Sequence, residues 1–132
     1  MIERYSRKEI KSIWEDKNRY SIWLQIELAA AEAMEKMNMI PKGVSKKVRT
    51  KAKINVKRIL QIEEKVKHDV IAFLTSITEK VGKDARYLHK GLTSSDVLDT
   101  CFNLQLKQSG KILLKDIDQL LASIKRQAIK HK

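Results

Sequence analysis

The segment that says most about the fold and function of this chain runs Leu88-His89-Lys90-Gly91-Leu92-Thr93-Ser94-Ser95-Asp96-Val97-Leu98-Asp99-Thr100. A turn at Gly91 leads into a cluster of hydroxyl residues, and helix-forming residues follow almost to the C-terminus. The pattern predicts a long helix that begins at this cluster. Because the first N–H groups of a helix lack partners within it, and the helix dipole is positive there, such a position attracts anions.

Two interpretations of this cluster stay open on chemistry alone. In the first, Thr93 or Ser94 is a helix cap that accepts a hydrogen bond from the next turn, with Asp96 favoured by the dipole. In the second, the hydroxyl groups face an anionic ligand while the backbone caps the helix. His89 has the same ambiguity, since a histidine in a loop is either an ordinary surface residue or a group suited to proton transfer.

The rest of the chain predicts an all-α fold. Glycine and proline are rare, with four and one residues, and no run alternates apolar and polar residues as a strand would. We expect Ser6 to cap the first helix, Asn38 to end the second in a left-handed conformation, and Asn55 to cap the fourth. The predicted helices span residues 7–14, 16–37, 44–52, 56–66, 69–81 and 95–130.

Apolar spacing indicates which helix faces are buried. The fourth and fifth helices are expected to turn inward Val56, Ile59, Leu60, Ile62 and Val66, and Val70, Phe73, Leu74, Ile77 and Val81, respectively. The long helix carries a seam of Val97, Cys101, Leu104, Leu113, Ile117, Leu120 and Ile124.

Two segments present more apolar surface than a small domain can cover. Ten of the thirteen residues from 22 to 34 are apolar, so this helix is expected to be buried on more than one side. The long helix would form a rod of roughly 50 Å, at about 1.5 Å per residue. Both features predict packing against further chain or against other subunits.

The net charge of +12 is unevenly distributed. Residues 41–60 hold eight lysines or arginines and no acidic residue. A solvated lysine-rich surface explains this pattern, and a basic helical module that binds nucleic acid or another anionic partner is the alternative. Nucleic acid is disfavoured because no aromatic residues are interleaved for base stacking.

The remaining composition limits compartment and chemistry. The single cysteine, Cys101, excludes an internal disulfide, fits a reducing cytoplasm and is expected to be a core residue. We expect neither a signal peptide nor a membrane span, since Met1 leads into polar sequence and residues 22–34 include Gln25, Glu27 and Glu32. Three scattered histidines and one cysteine share no metal-ligand spacing, so no metal site is predicted.

Two further groups carry chemically useful side chains. Lys67, His68 and Asp69 combine a cation, an imidazole and a carboxylate, which suits a helix start better than a helix interior, where they would diverge. A solvated turn capped by Asp69 is the alternative. Arg4 and Tyr5 offer a guanidinium fork and a phenol, against the simpler interpretation of a frayed N-terminus.

Four blocks of the sequence together resemble the adenylosuccinate lyase family of the fumarase/aspartase superfamily. Residues 88–100 are similar to its H-x-G-x-T-S-S-D stretch, and Lys67-His68-Asp69-Val70-Ile71-Ala72-Phe73 is similar to its K-H-D-V motif. Residues 1–14 resemble its N-terminus, and residues 23–29 its first long helix. The blocks occur in the family's order and spacing, which makes them more specific together than singly.

The resemblance implies a lyase of purine biosynthesis that eliminates fumarate from adenylosuccinate to give AMP, and that cleaves the related succinyl-carboxamide ribotide. It implies no cofactor. It assigns the anionic nucleotide substrate to a set of residues in which His68 supports catalysis and Lys67 meets anionic oxygens: Arg4, Tyr5, Lys67, His68, Asp69, His89, Thr93 and Ser94.

The family's next blocks, a Gly-Arg-Thr-His segment and a mobile serine-rich loop, are expected to supply the main acid and base, and neither occurs in these 132 residues. We therefore expect an N-terminal fragment that is inactive alone. By resemblance, residues 1–92 form an N-terminal helical domain, and residues 93–132 begin a long-helix bundle domain. The full enzyme is expected to be a cytoplasmic homotetramer that does not associate with membranes.

Overall fold

The computed structural model describes residues 2–132, and Glu3 by its backbone alone. This part of the chain is helical, without strands, as the all-α prediction required. The helices are α1 (Lys8–Ile13), α2 (Asp16–Lys36), α3 (Val44–Lys51), α4 (Val56–Val66), α5 (Asp69–Val81) and α6 (Ser94–Lys130). Short 3-10 helices cover Glu3–Tyr5 and Gly82–Tyr87. The predicted boundaries agree with these to within one residue at either end.

Three aromatic side chains form the centre of the core. Tyr20 and Trp23 of α2 and Phe73 of α5 are all fully buried. The ring of Trp23 meets the other two edge-on, at centroid distances of 5.1 Å to Tyr20 and 5.5 Å to Phe73. Such large rings bury much apolar area and add a favourable edge-to-face contact. Their contacts hold α2 against α5, and the shorter helices pack around these two.

Local sequence signals explain most helix ends. The side chain of Asn55 accepts a hydrogen bond from the Arg58 N–H at 3.0 Å, as predicted for the cap of α4. Asn38 has the expected left-handed conformation, with φ of 56°. The Met39 N–H then donates back to the Met34 carbonyl, which closes the end of α2. The prediction for Ser6 was wrong, because its hydroxyl donates to the Ile2 carbonyl while Arg7 occupies the cap position of α1.

The inward face predicted for α4 was too wide. Ile59 and Ile62 are buried, but Leu60 and Val66 are 42% and 43% exposed. An α-helix that packs mainly against one neighbour buries a narrow stripe, and Leu60 lies about 100° around the helix from Ile59. The prediction for α5 was correct for Val70, Phe73, Ile77 and Val81, which are buried.

Helix α6 divides into a packed part and an exposed part. Near its start, Val97, Cys101 and Gln105 are buried, and the Gln105 amide donates to the Ile13 carbonyl at 2.7 Å. An ion pair between Arg7 and Asp116 ties α6 to the chain just before α1. The other residues of the predicted seam are exposed in this chain, because the helix extends past the elements that cover its start: Leu104, Leu113, Ile117, Leu120 and Ile124.

Residues 22–34 are less enclosed than predicted. Trp23, Leu28 and Ala31 are buried, while Ala29 and Ala33 are exposed. None of the helices in the described part of the chain is long and apolar enough to cross a membrane.

Candidate substrate site

The N-terminus of α6 is closed by a reciprocal pair of hydrogen bonds. The Thr93 hydroxyl accepts from the Asp96 N–H at 3.4 Å, and the Asp96 carboxylate accepts from the Thr93 N–H at 2.7 Å. The capping interpretation is therefore correct for Thr93, and the hydroxyl does the capping rather than the backbone. These bonds hold the pKa of Asp96 below its ordinary value, chiefly through the Thr93 backbone N–H.

This cap changes what the helix start offers to an anion. The Asp96 carboxylate already opposes the positive end of the helix dipole. The Ser94 side chain, which is half-buried, makes no hydrogen bond to any residue that the structure describes. Of the two hydroxyls, that of Ser94 is therefore the one left available to a ligand.

His89 is held by a buried acid from a distant part of the sequence. Its backbone N–H donates to Oε2 of Glu27 at 2.6 Å, and its ring Nδ1 lies 2.7 Å from Oε1 of the same residue. The Glu27 side chain is fully buried, whereas that of His89 is 19% exposed. His89 also has a left-handed backbone, with φ of 57°, which is uncommon for a residue with a side chain. The two bonds from Glu27 hold both the backbone and the ring in place.

Lys67, His68 and Asp69 lie at the sharp turn between α4 and α5, as the sequence predicted. Lys67 ends α4 in a left-handed conformation with φ of 53°. His68 is the cap residue of α5, since its Nδ1 accepts a long hydrogen bond of 3.4 Å from the Ile71 N–H. The alternative that placed the cap at Asp69 was wrong, because the Asp69 carboxylate accepts from the adjacent Val70 N–H instead.

His68 and Asp69 are neighbours without a hydrogen bond between their side chains. Nδ1 of His68 lies 3.6 Å from Oδ1 of Asp69, which is longer than a hydrogen bond. With Nδ1 accepting from the backbone, the neutral ring carries its proton on Nε2. The side chains of His68 and Asp69 are 48% and 36% exposed, so both are accessible from solvent.

Arg4 and Tyr5 lie near the beginning of the chain in a short 3-10 helix. The Arg4 guanidinium carbon is 4.7 Å from the centroid of the Tyr5 ring, and Tyr5 is 74% exposed. A guanidinium stacked on an aromatic ring keeps its N–H groups directed outward for an anionic partner.

The structure does not gather all these residues into one enclosed pocket. Among the described residues, no hydrogen bond or ion pair joins Arg4 and Tyr5, the segment 67–69, and the start of α6 to one another. The surface depressions of the described chain are shallow, and Lys67 borders one of them with Leu60, Glu63 and Glu64. What the fold does bring together is His89 and the start of α6, since the Leu92 N–H donates to the His89 carbonyl at 3.4 Å and Thr93 caps the helix one residue later.

Glu27 is the residue of this region that the sequence analysis did not single out. A signal for it was present: Tyr20, Trp23, Glu27 and Ala31 follow the spacing of three and four residues that marks one helix face. An acidic residue on a face that is otherwise buried must find a partner. The sequence could not name that partner, which lies 62 positions away.

The fold is similar to that of a known enzyme. A crystal structure of a fumarate lyase from Mesorhizobium sp. BNC1 superposes with a TM-score of 0.77 over 86% of this chain and 29% of that one. The sequences are 20% identical in the comparison, so the likeness concerns the fold alone.

The sequence defines the class more closely. The model of a lyase family matches residues 3–132. The chain belongs to this lyase family, which confirms the class indicated by its motifs.

A particular relative is much closer in sequence. The chain is 45% identical over all 132 residues to the adenylosuccinate lyase of Bacillus subtilis (strain 168). It spans 31% of the length of that enzyme.

Proposed function

We propose that this chain is part of an enzyme that eliminates fumarate from adenylosuccinate, giving AMP, and that acts in the same way on the succinyl-carboxamide ribotide of purine biosynthesis. The observation that supports this most is the 45% identity to an adenylosuccinate lyase along the whole chain. The four motif blocks lie within that match.

The reaction has three chemical requirements. A base removes a weakly acidic proton beside a carboxylate, an acid protonates the departing nitrogen, and cations hold one phosphate and two carboxylates. We assign the cationic part to Arg4 and Lys67, with Tyr5 and Ser94 as hydrogen-bond donors. Both cationic side chains lie in exposed positions, where they are free to meet an anionic substrate.

His68 is proposed as a supporting group. Its neutral ring presents an Nε2–H because Nδ1 accepts from the Ile71 N–H, so it suits donation to a substrate oxygen. Asp69, whose Oδ1 lies 3.6 Å from Nδ1 of His68, is proposed to accept a hydrogen bond from the substrate beside this ring. Thr93 is proposed to act through its cap, which fixes the start of α6 and so the position of Ser94. His89 is proposed to face the substrate.

The assembled enzyme is proposed to be a cytoplasmic homo-oligomer. Residues 1–92 would form its N-terminal helical domain and residues 93–132 the start of a long-helix bundle. The exposed apolar face of α6 supports this proposal, since a contiguous apolar surface of large side chains is typical of a protein–protein interface. Because the candidate residues are not enclosed by this chain, we propose that other parts of the assembly complete the site.

The proposed activity is tested with the full-length protein and adenylosuccinate, by following absorbance and measuring the fumarate released. L-Aspartate is a suitable control substrate, because its deamination also yields fumarate but it carries no nucleotide. We expect turnover of adenylosuccinate and none of aspartate. Preference for aspartate would contradict the proposal.

We also infer that the 132-residue chain has no lyase activity by itself, because the proposed main acid and base lie outside it. The loss of either group costs orders of magnitude in rate. The same assay at high concentration of the chain tests this inference, and turnover close to that of the full-length protein would refute it.

A further inference from the structure

Glu27 occupies an unusual position for an acidic residue. It lies on the core face of α2, its side chain is fully buried, and both carboxylate oxygens are directed to one residue, His89. We propose that Glu27 is the positioning residue for His89, holding the imidazole with its proton on Nδ1 and presenting Nε2 to the substrate. This inference rests on the proposed function for its catalytic consequence, but not for its geometry.

The hydrogen-bond donors fix the arrangement. A backbone N–H can only donate, and it occupies Oε2 of Glu27. A carboxylate can only accept, so the ring nitrogen 2.7 Å from Oε1 must carry a hydrogen. Nδ1 is thereby committed to Glu27. Nε2 is left as the ring nitrogen available to another group. The side chain of His89 is 19% exposed, so a ligand can approach it from solvent.

Glu27 makes one hydrogen bond more to His89 than the backbone conformation of His89 requires. One hydrogen bond to the backbone N–H would suffice to stabilise the left-handed conformation of His89, and a neutral amide could accept it equally well. The second oxygen acts on the ring only. The turn that follows His89 leads directly into α6, with the Leu92 N–H donating to the His89 carbonyl at 3.4 Å. The ring is thus held by Glu27 of α2 at a point of the chain five residues before Ser94.

Replacement of Glu27 by glutamine is expected to change which ring nitrogen of His89 carries the proton. The amide oxygen of the introduced side chain must still accept from the His89 backbone N–H, so its NH₂ group would face Nδ1. An NH₂ group only donates, and Nδ1 would therefore have to accept. Glu27→Gln is expected to move the ring proton from Nδ1 to Nε2 while preserving the fold. Glu32→Gln is the matched control, because Glu32 lies on the same helix but pairs with Arg49.

The ring is observed directly by nitrogen NMR of full-length protein labelled in its histidines, with His89→Asn to identify the His89 signals. We expect a protonated Nδ1 in the wild-type protein and in Glu32→Gln, and a protonated Nε2 in Glu27→Gln. A wild-type ring with an unprotonated Nδ1 would overturn the proposal. This measurement requires no activity, so it decides the positioning even if adenylosuccinate is not the substrate.

The consequence for catalysis is tested by a double-mutant cycle with adenylosuccinate. Glu27→Gln and His89→Asn are each expected to lower kcat/KM at least about tenfold, since an imidazole in the wrong tautomer has been very costly in other enzymes. If Glu27 acts through His89, the double variant should lose no more than His89→Asn alone. Losses that multiply would refute the positioning role. Absence of wild-type turnover would instead contradict the proposed function.

Discussion

The carboxylate of Glu27 accepts the backbone N–H of His89 at 2.6 Å and meets its ring Nδ1 at 2.7 Å, joining the middle of α2 to the turn before α6. A buried carboxylate is costly unless it is paired and hydrogen-bonded, and both of its oxygens are satisfied here. The same pair therefore sets the path of the chain into α6 and the orientation of a candidate site histidine.

Glu27→Ala should destabilise the protein appreciably. The variant leaves the backbone N–H of His89 without its acceptor in a largely buried position, which costs about 1–3 kcal/mol. Urea unfolding of the wild-type and variant proteins measures the loss. Glu32→Ala serves as the control, because its partly exposed ion pair with Arg49 contributes less than about 1 kcal/mol. Equal losses in the two variants would contradict the importance of the Glu27–His89 pair.

The Asp96 cap should make stability depend on pH in the acidic range. The folded-state pKa of Asp96 lies below its ordinary value of 3.8, so the folded state binds this proton less readily than the unfolded state. Its contribution is fully present above that ordinary value and is lost as the pH falls through the lower, folded-state value.

Asp96→Asn should therefore flatten the decrease in stability below about pH 4, as measured by urea midpoints across that range. Asp99→Asn, one turn further along α6, is the control, since the Asp99 side chain makes no hydrogen bond to any described residue. An unchanged pH dependence in Asp96→Asn would show that the cap does not contribute.

His68 should affect activity and stability separately. His68→Ala removes both the imidazole and the cap of α5, whereas His68→Asn keeps a good cap residue. In the full-length protein, both variants should lower kcat/KM at least about tenfold if the ring supports proton transfer or orients substrate. Only His68→Ala should also lower the melting temperature. Full activity in His68→Asn would contradict the assignment of His68 to the substrate site.

Ser94→Ala should lower kcat/KM without unfolding the protein. The Ser94 side chain makes no hydrogen bond to the rest of the described chain, so stability should change by less than about 0.5 kcal/mol. Ser95→Ala is the matched control, because Ser95 is exposed and lies at the next position of the same helix. Kinetics and thermal melts of both variants measure the effects. Equal activity of the two variants would contradict the assignment of Ser94.

The 132-residue chain should self-associate through α6. Leu113, Ile117, Leu120 and Ile124 are 52–60% exposed along this helix, and their burial should outweigh repulsion between charges that salt screens over about 8–10 Å. Size exclusion with light scattering at moderate salt should give a dimer or tetramer. Ile117→Lys should reduce the mass, while Gln119→Lys, with the same charge change at an exposed polar position, should not. A monomer at high concentration would refute the prediction.

The sequence by itself determined the helices of this protein. Asn55, Asn38 and the Thr93–Asp96 box specify helix ends through bonds made within a few residues, so local chemistry is sufficient to predict them. The same holds for Phe73, which helical spacing places on the inward face of α5, and for Trp23, which lies in the apolar window of residues 22–34. Motif order identified the family for a similar reason, since it requires no three-dimensional information.

Only the tertiary structure decided which groups meet. Ser6 turned back to Ile2, His68 rather than Asp69 became the cap of α5, and Leu60 and Val66 were left exposed because α4 buries a narrow stripe. The pairing of Glu27 with His89 could not be read from the sequence, because it joins residues 62 positions apart. Such a contact depends on how α2 packs beside the start of α6, and that packing is set by the whole core rather than by either residue.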